Sequence, residues 1–216
     1  MTIRDWSRAV SLYYSSDNTI SGNYITGNYR GIYGEYSSFN LIVENSILNN
    51  GYDGVALWQS SKSCIVRNRI TNNTYYGIVF GLSTNINNTI LENTIADHEG
   101  SGVLLSDFLG GLVYGNNITD NDGEGLHAVR SNENTISGNN LSNNSDGLYL
   151  ADSSSNSISE NNITANNRYG IHLDYSSYNL LKGNRMASNK YNFGIVGELL
   201  SHFVNDVDAS NTVDGK

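Results

Sequence analysis

A glycine followed by an apolar residue returns every 22 to 25 residues along this chain, at Gly31-Ile32, Gly54-Val55, Gly77-Ile78, Gly102-Val103, Gly125-Leu126, Gly147-Leu148, Gly170-Ile171 and Gly194-Ile195. Ala9 holds the same slot one period earlier. Each pair leads through a loop into the pattern N-x-I-x-x-N-x-I-x-x-N, as in Asn18-x-Ile20-x-x-Asn23-x-Ile25-x-x-Asn28. A fixed period of this length is the mark of stacked repeats, in which one supersecondary unit buries its apolar side only against its neighbours. The chain therefore reads as one continuous array over residues 1–216, with residues 193–216 as an atypical terminal coil and closing segment.

The columns of the repeat give the coil. The first Asn slot holds Asn18, Asn40, Ser63, Asn88, Gly111, Asn134, Asn156 and Asn179. The second is Asn throughout, at Asn23, Asn45, Asn68, Asn93, Asn116, Asn139, Asn161 and Asn184. The third holds Asn28, Asn50, Asn73, His98, Asn121, Asn144, Asn166 and Asn189. Apolar columns follow each, and each repeat carries three period-2 segments too short for a helix. Three strands separated by turns close one triangular coil, and coils stack at the ordinary interstrand spacing of about 4.8 Å. The fold class is all-β, a single-stranded right-handed parallel β-helix with three short strands per coil and about eight to nine coils. An Asn side chain carries both donor and acceptor, so stacked Asn can bond the Asn above, the Asn below and the corner backbone. Asn also tolerates the left-handed conformation that a corner needs, and the Gly column fits a close approach of backbones.

Composition removes several function classes. Twelve Lys and Arg stand singly against 21 Asp and Glu, a net charge of −9, so no basic stripe exists for nucleic acid. Cys64 is alone, which excludes a disulfide framework and a paired-Cys metal site. No apolar run is long enough to span a membrane. The start MTIRDWSRAV lacks the apolar segment of a signal peptide and enters almost directly into a repeat. With no visible N-terminal cap, the chain is expected to be a piece of a longer protein, with neighbouring domains of the same chain among its partners.

The pattern G-[IVL]-x-L…S-S-x-N-x-I…N-x-I-x-x-N, cleanest at Gly147-Leu-Tyr-Leu150…Ser154-Ser-Asn156-Ser-Ile158 and Gly170-Ile-His-Leu173…Ser176-Ser-Tyr-Asn179, resembles the β-helix repeat of NosD-type and archaeal surface proteins. It is also similar to the wider pectin-lyase-like superfamily. The resemblance covers residues 8 to about 192, and the tail from Leu200 to Lys216 resembles the segment that closes such arrays in archaeal surface proteins. It implies an extracytoplasmic setting (cell surface, secreted or periplasmic) and a polysaccharide or cell-surface glycan as partner. Six Asn-x-Ser/Thr sequons, at Asn72, Asn87, Asn117, Asn140, Asn143 and Asn162, agree with that setting.

Function must sit on outward positions. Between the inward apolar residues of the Gly-led strand lie Ser11, Tyr33, Ala56, Val79, Leu104, His127, Tyr149, His172 and Val196, and the next outward column runs from Tyr13, Glu35 and Trp58 to Asp174 and Glu198. Just before the Gly stand Arg30, Asp53, Tyr76, Ser101, Glu124, Asp146 and Tyr169. Near the N-terminal end, Tyr13, Tyr14, Tyr33, Tyr36 and Trp58 form an aromatic group suited to stacking on sugar rings. Nearer the C-terminal end, Glu124, His127, Asp146, Tyr149, Asp152, His172 and Asp174 bring acids, imidazoles and a phenol onto three rungs. In pectin-lyase-like enzymes the substrate groove follows one strand face, so the resemblance makes Glu124, His127, Asp146, Tyr149, His172 and Asp174 the catalytic candidates. The carbohydrate-binding candidates are Tyr13, Tyr33, Tyr36 and Trp58. Arg130 is read as the one cation near the acidic cluster, a field that favours neutral glycans over uronates.

No cofactor is expected. Asp120, Asp122 and Glu124 on one turn are the single Ca²⁺ candidate, though Asn-Asp-Gly is also good turn chemistry. NosD-type proteins are associated with copper-site maturation, but His127 and His172 lie two rungs apart, about 9.6 Å, too far to share an ion. The leading expectation is a non-catalytic repeat module that serves as a rigid spacer and binds polysaccharide weakly. The alternative is a polysaccharide lyase, epimerase or hydrolase that uses the Gly-led face, and the third is a NosD-like copper-maturation role.

Overall fold

The computed structural model describes residues 1–216 and is a parallel β-helix. The Gly-led sheet has nine strands, from Arg8–Tyr13 to Tyr191–Val196. A second sheet of nine runs from Thr19–Ser21 to Asp206–Val207, and a third of ten from Thr2–Ile3 to Thr212–Val213. Every pairing between rungs is parallel and in register, as in Ile20 opposite Ile42 and Ile42 opposite Ile65. The inward columns merge into one core of 31 buried residues, from Leu12 and Ile20 to Leu181 and Met186. Burying each such aliphatic side chain contributes roughly 1.5–3 kcal/mol.

The Asn ladders hold the corners. Asn45 Oδ1 accepts the backbone N–H of Asn23 at 3.0 Å and its Nδ2 at 3.1 Å. Asn45 Nδ2 in turn donates to Ile20 O at 2.8 Å and Asn68 Oδ1 at 3.0 Å. The same linkage continues without a gap to Asn184, whose backbone N–H is accepted by Asn211 Oδ1 at 3.0 Å. His98 keeps the third ladder intact. Its Nδ1 accepts the Asn73 N–H at 3.1 Å and its Nε2 faces Ile70 O at 3.2 Å, which fixes the proton on Nε2. Burial holds this imidazole below its ordinary pKa.

The left-handed residues are not the ladder Asn but the residues just before them. Glu44, Arg67 and Glu92 stand at φ 56, 51 and 53°, each preceding an Asn of the second ladder. The ladder Asn is thus selected for its hydrogen bonds, and the backbone reversal falls on its neighbour. The Gly column owes its composition to space: a Cβ on Gly31 would lie 2.3 Å from Gly54 O and 2.8 Å from Ile47 Cγ2.

A fourth ladder runs through serine. Ser37 Oγ accepts from Ser15 N–H, Ser60 Oγ from Ser37, Asn85 Oδ1 from Ser60, and the line resumes as Phe108 donates to Ser131 Oγ. Ser153 and Ser176 carry it on. Phe108 enters the core here against Phe80, with ring centroids 5.1 Å apart, and fills the space that Gly111 leaves in the first Asn slot.

One register differs from the sequence reading. Gly194 does not continue the Gly column: it pairs with His172, and Phe193 pairs with Ile171. Asn192 takes the Gly slot, so Val196 lies opposite Asp174 rather than His172. The last coil then turns through a short 3₁₀ segment, Leu200–Phe203, before Asp206–Val207 and Thr212–Val213 cap the other two sheets.

Candidate functional site

The outward face of the Gly-led sheet carries both candidate groups. Register puts Leu126, Leu148 and Ile171 on consecutive rungs, so His127, Tyr149 and His172 form one outward column. Their rings pack in line: His127 is tilted against Tyr149 at 4.8 Å, and Tyr149 stacks on His172 at 5.0 Å between centroids. Tyr169 covers His172 from the pre-Gly slot at 4.4 Å. His172 is consequently buried, and neither ring nitrogen has a hydrogen-bond partner.

The carboxylates lie between these rings. Asp146 is 1% exposed. Its Oδ1 accepts the Tyr169 N–H at 2.9 Å and lies 3.7 Å from Arg168 Nε, while its Oδ2 stands 3.5 Å from His172 Nδ1. Glu124 accepts from Ser101 Oγ at 2.8 Å and sits 3.6 Å from His127 Nδ1. Burial lowers the His127 pKa, against the pull of Glu124 and Asp146. The Tyr149 hydroxyl donates to Asp174 Oδ2 at 2.9 Å, and burial together with this bond pushes its pKa up to about 12. Arg130 is bound to Asp107 at 2.9 Å, so the cation beside the cluster is Arg168, a correction to the sequence reading. The Arg130–Asp107 pair instead edges an open groove of about 440 Å³ with Leu82, Ser83, Thr84 and Ser106. Asp152 is exposed at the corner and joins none of these contacts.

At the other end, Tyr14 and Tyr36 are exposed and stack with planes 5° apart at 4.8 Å, and Tyr13 meets Tyr14 edge-on at 4.5 Å. Tyr33 is buried, 2% exposed, with its hydroxyl donating to Glu35 Oε2 at 2.6 Å. Burial and this bond raise its pKa to about 12. Trp58 stands half-buried against the Tyr33 ring at 5.3 Å. Tyr33 therefore supports this surface, and Tyr13, Tyr36 and Trp58 present it. Tyr29, Tyr52 and Tyr75 add a second stack, at 5.5 and 4.9 Å, along the edge of the same sheet. That stack is visible in the sequence only as Tyr at matching positions of consecutive repeats.

Asp120, Asp122 and Glu124 do not converge. Asp120 accepts from Asn143 Nδ2 at 3.1 Å, Asp122 is exposed, and Glu124 turns toward His127. No group of three or more His, Cys, Asp and Glu side chains gathers around one point. No helix is long and apolar enough to cross a membrane.

These three sheets and their ladders define a right-handed β-helix. The chain matches the model of the family described as right handed beta helix region over residues 1–139 and 87–214, and it belongs to that family. Solved structures with the same fold include the periplasmic alginate epimerase AlgG, at 17% identity and a TM-score of 0.81. That match covers 97% of this chain and 59% of the epimerase, so the chain spans under two thirds of its relative. The A-module of the Azotobacter vinelandii mannuronan C-5 epimerase AlgE6 matches at 16% identity and a TM-score of 0.75, over 93% of this chain and 64% of that one. Pectate lyase Pel9A matches at 13% identity and 0.71, over 99% and 69%. No curated protein matches the chain in sequence.

Proposed function

We propose that this chain is a non-catalytic β-helix module of an extracytoplasmic protein, a stiff spacer that binds polysaccharide along its Gly-led face. The observation that carries this reading is the exposed aromatic surface of Tyr13, Tyr14 and Tyr36 beside Trp58 on that face. Flat rings with a polar rim suit the apolar faces and polar edges of sugars. Continuous ladders through every rung support the spacer role, because each coil is tied to the next at its corners. The alginate epimerases and pectate lyase of the same fold act on polysaccharides, which supports the partner class and leaves the chemistry open.

The acid–base candidates favour binding over turnover. His172 lies beneath Tyr149 and Tyr169 with both nitrogens enclosed, out of reach of a sugar. Tyr149 is committed to Asp174, and its raised pKa opposes a role as base near neutral pH. One observation favours a lyase or epimerase instead: His127 is half-buried beside Glu124 and is held neutral by burial, as a general base would be.

The test is affinity electrophoresis with neutral and uronate polysaccharides, alongside assays for chain length and new double bonds. Retention without turnover is expected, weakened about tenfold in Tyr36→Ala or Trp58→Ala, the scale of one lost sugar–aromatic contact. Turnover abolished by His127→Ala would replace this reading with the enzymatic one.

A further inference from the structure

Arg8 and Arg30 face each other on adjacent strands at the N-terminal end of the Gly-led sheet. Like charges directly opposite on a sheet are unfavourable, and this chain has only twelve Lys and Arg against 21 acids. Arg8 pairs with no acid, and Arg30 has one carboxylate beside it, Asp53, for two guanidinium groups. The Arg30 guanidinium makes no hydrogen bond, and its buried Nε stands 3.4 Å from Asp53 Oδ2 in an ion pair without hydrogen-bond geometry. Asp53 itself is 1% exposed and its Oδ1 is also unpartnered. The other nearby acid, Glu35, is occupied by the Tyr33 hydroxyl.

Aromatic rings hold the two guanidinium groups in place. Arg8 Cζ lies 3.9 Å from the Tyr33 ring centroid. Arg30 Cζ lies 5.3 Å from Tyr33, 4.7 Å from Tyr52 and 5.2 Å from Trp58. Stacked guanidinium groups keep their in-plane N–H donors free, and the planar fork matches a carboxylate or sulfate through two parallel hydrogen bonds. Two such forks beside an indole give charge recognition and ring stacking at one place.

We propose that Arg8, Arg30 and Trp58 form a subsite for an acidic sugar, which binds the ring-borne oxyanion (a uronate carboxylate or a sulfate ester) while the indole stacks on the sugar ring. The proposal rests on the polysaccharide-binding reading above and names the class of glycan. It also reverses the preference for neutral glycans drawn from the C-terminal acids, because this end of the face has its own cations.

The experiment is titration calorimetry of the full chain with three probes: oligogalacturonate, dextran sulfate and neutral dextran. At low salt, oligogalacturonate or dextran sulfate is expected to bind, and whichever does identifies the oxyanion. Arg8→Gln is the main variant, because Arg8 is exposed and pairs with no acid, so the fold does not depend on it. It is expected to weaken anionic-glycan binding at least tenfold and to leave neutral dextran unchanged. Arg30→Lys should weaken it similarly by replacing the fork with a point charge. Arg69→Gln, an exposed arginine on the third sheet, is the control and should have no effect. Equal anionic binding in wild type and Arg8→Gln, or an equal loss in Arg69→Gln, overturns the subsite. Binding of neutral dextran alone overturns it too but preserves the module's general function. No binding of any of the three by the wild type sinks both.

Discussion

Asp53 and Asp146 fill the same slot of the repeat, four rungs apart through Tyr76, Ser101 and Glu124, and each is 1% exposed. Asp53 meets the fork-shaped cation of Arg30 and the arginine-rich end of the face. Asp146 meets an imidazole, and its other oxygen is fixed by the Tyr169 N–H. The scaffold thus presents one backbone position repeatedly, and the residues on neighbouring rungs decide its chemistry. Same-rung contacts such as Tyr33 to Glu35 and His127 to Glu124 are joined by cross-rung ones such as Asp146 to His172 and Tyr149 to Asp174, so one coil alone does not define a site.

The scaffold should respond alike in both halves. Asn45→Leu and Asn139→Leu are each expected to cost on the order of 3–5 kcal/mol, since each leaves several buried backbone groups unpaired at 1–3 kcal/mol apiece. Asn139 alone accepts from Asn116 N–H at 3.0 Å and donates to Val113 O at 3.0 Å and Asn161 Oδ1 at 2.9 Å. Equilibrium urea melts of the two variants measure this. A cost confined to one half would show that the ladders are not equivalent.

The two ends should differ in the sign of their pH dependence. Burial raises the Asp53 pKa from 3.8 to about 6, partly opposed by Arg30 and the Tyr76 backbone. The folded chain therefore binds a proton more tightly than the unfolded chain. The stabilisation that follows is complete below about pH 4 and is lost as pH rises through about 6. At about 1.4 kcal/mol per tenfold in proton affinity, it amounts to at most about 3 kcal/mol. Subtracting the Asp53→Asn stability curve from that of the wild type isolates it, and a flat difference between pH 4 and 7 refutes the buried-carboxylate account. His127 should show the opposite slope. Its pKa is lowered by burial, so its contribution is present above the unfolded value of 6.5 and is lost as pH falls through its lowered pKa. His127→Gln should remove that acid-side loss.

The fold was legible because a solenoid writes its core and corners into sequence as columns. Ile20, Ile42 and Ile65 read directly as a stack, as did the second Asn ladder from Asn23 to Asn184. The misplaced last rung has a local cause: Gly194-Ile195 imitates the repeat signature, while pairing follows Phe193 into the core. The serine ladder was harder to see because Asn85 and Phe108 interrupt it, and Phe108 compensates for Gly111 one turn away. The candidate residues were legible as columns, but their partners were not. Arg30 and Asp53 were visible in one slot, yet their pairing depends on how pre-Gly side chains lean across the rung. Arg168 is not marked by the columns, because it sits one residue outside that slot.

The smallest effects separate the phenols of the two ends. Tyr33 donates to Glu35 on its own strand at 2.6 Å, whereas Tyr149 donates across a rung to Asp174 at 2.9 Å. Tyr33→Phe and Tyr149→Phe keep both rings and delete one hydrogen bond each, so each should cost about 1 kcal/mol in a thermal melt. The Tyr149 deletion should be the larger, because Asp174 Oδ1 is already buried without a partner, whereas Glu35 is half-exposed and water can replace the lost donor. Glycan retention should be unchanged in Tyr149→Phe, since its hydroxyl is turned to Asp174 rather than outward to a ligand. A variant with normal stability but lost retention would mean that the phenol leaves Asp174 to meet the sugar. The C-terminal cluster, rather than the arginine-lined end, would then be where the polysaccharide is held.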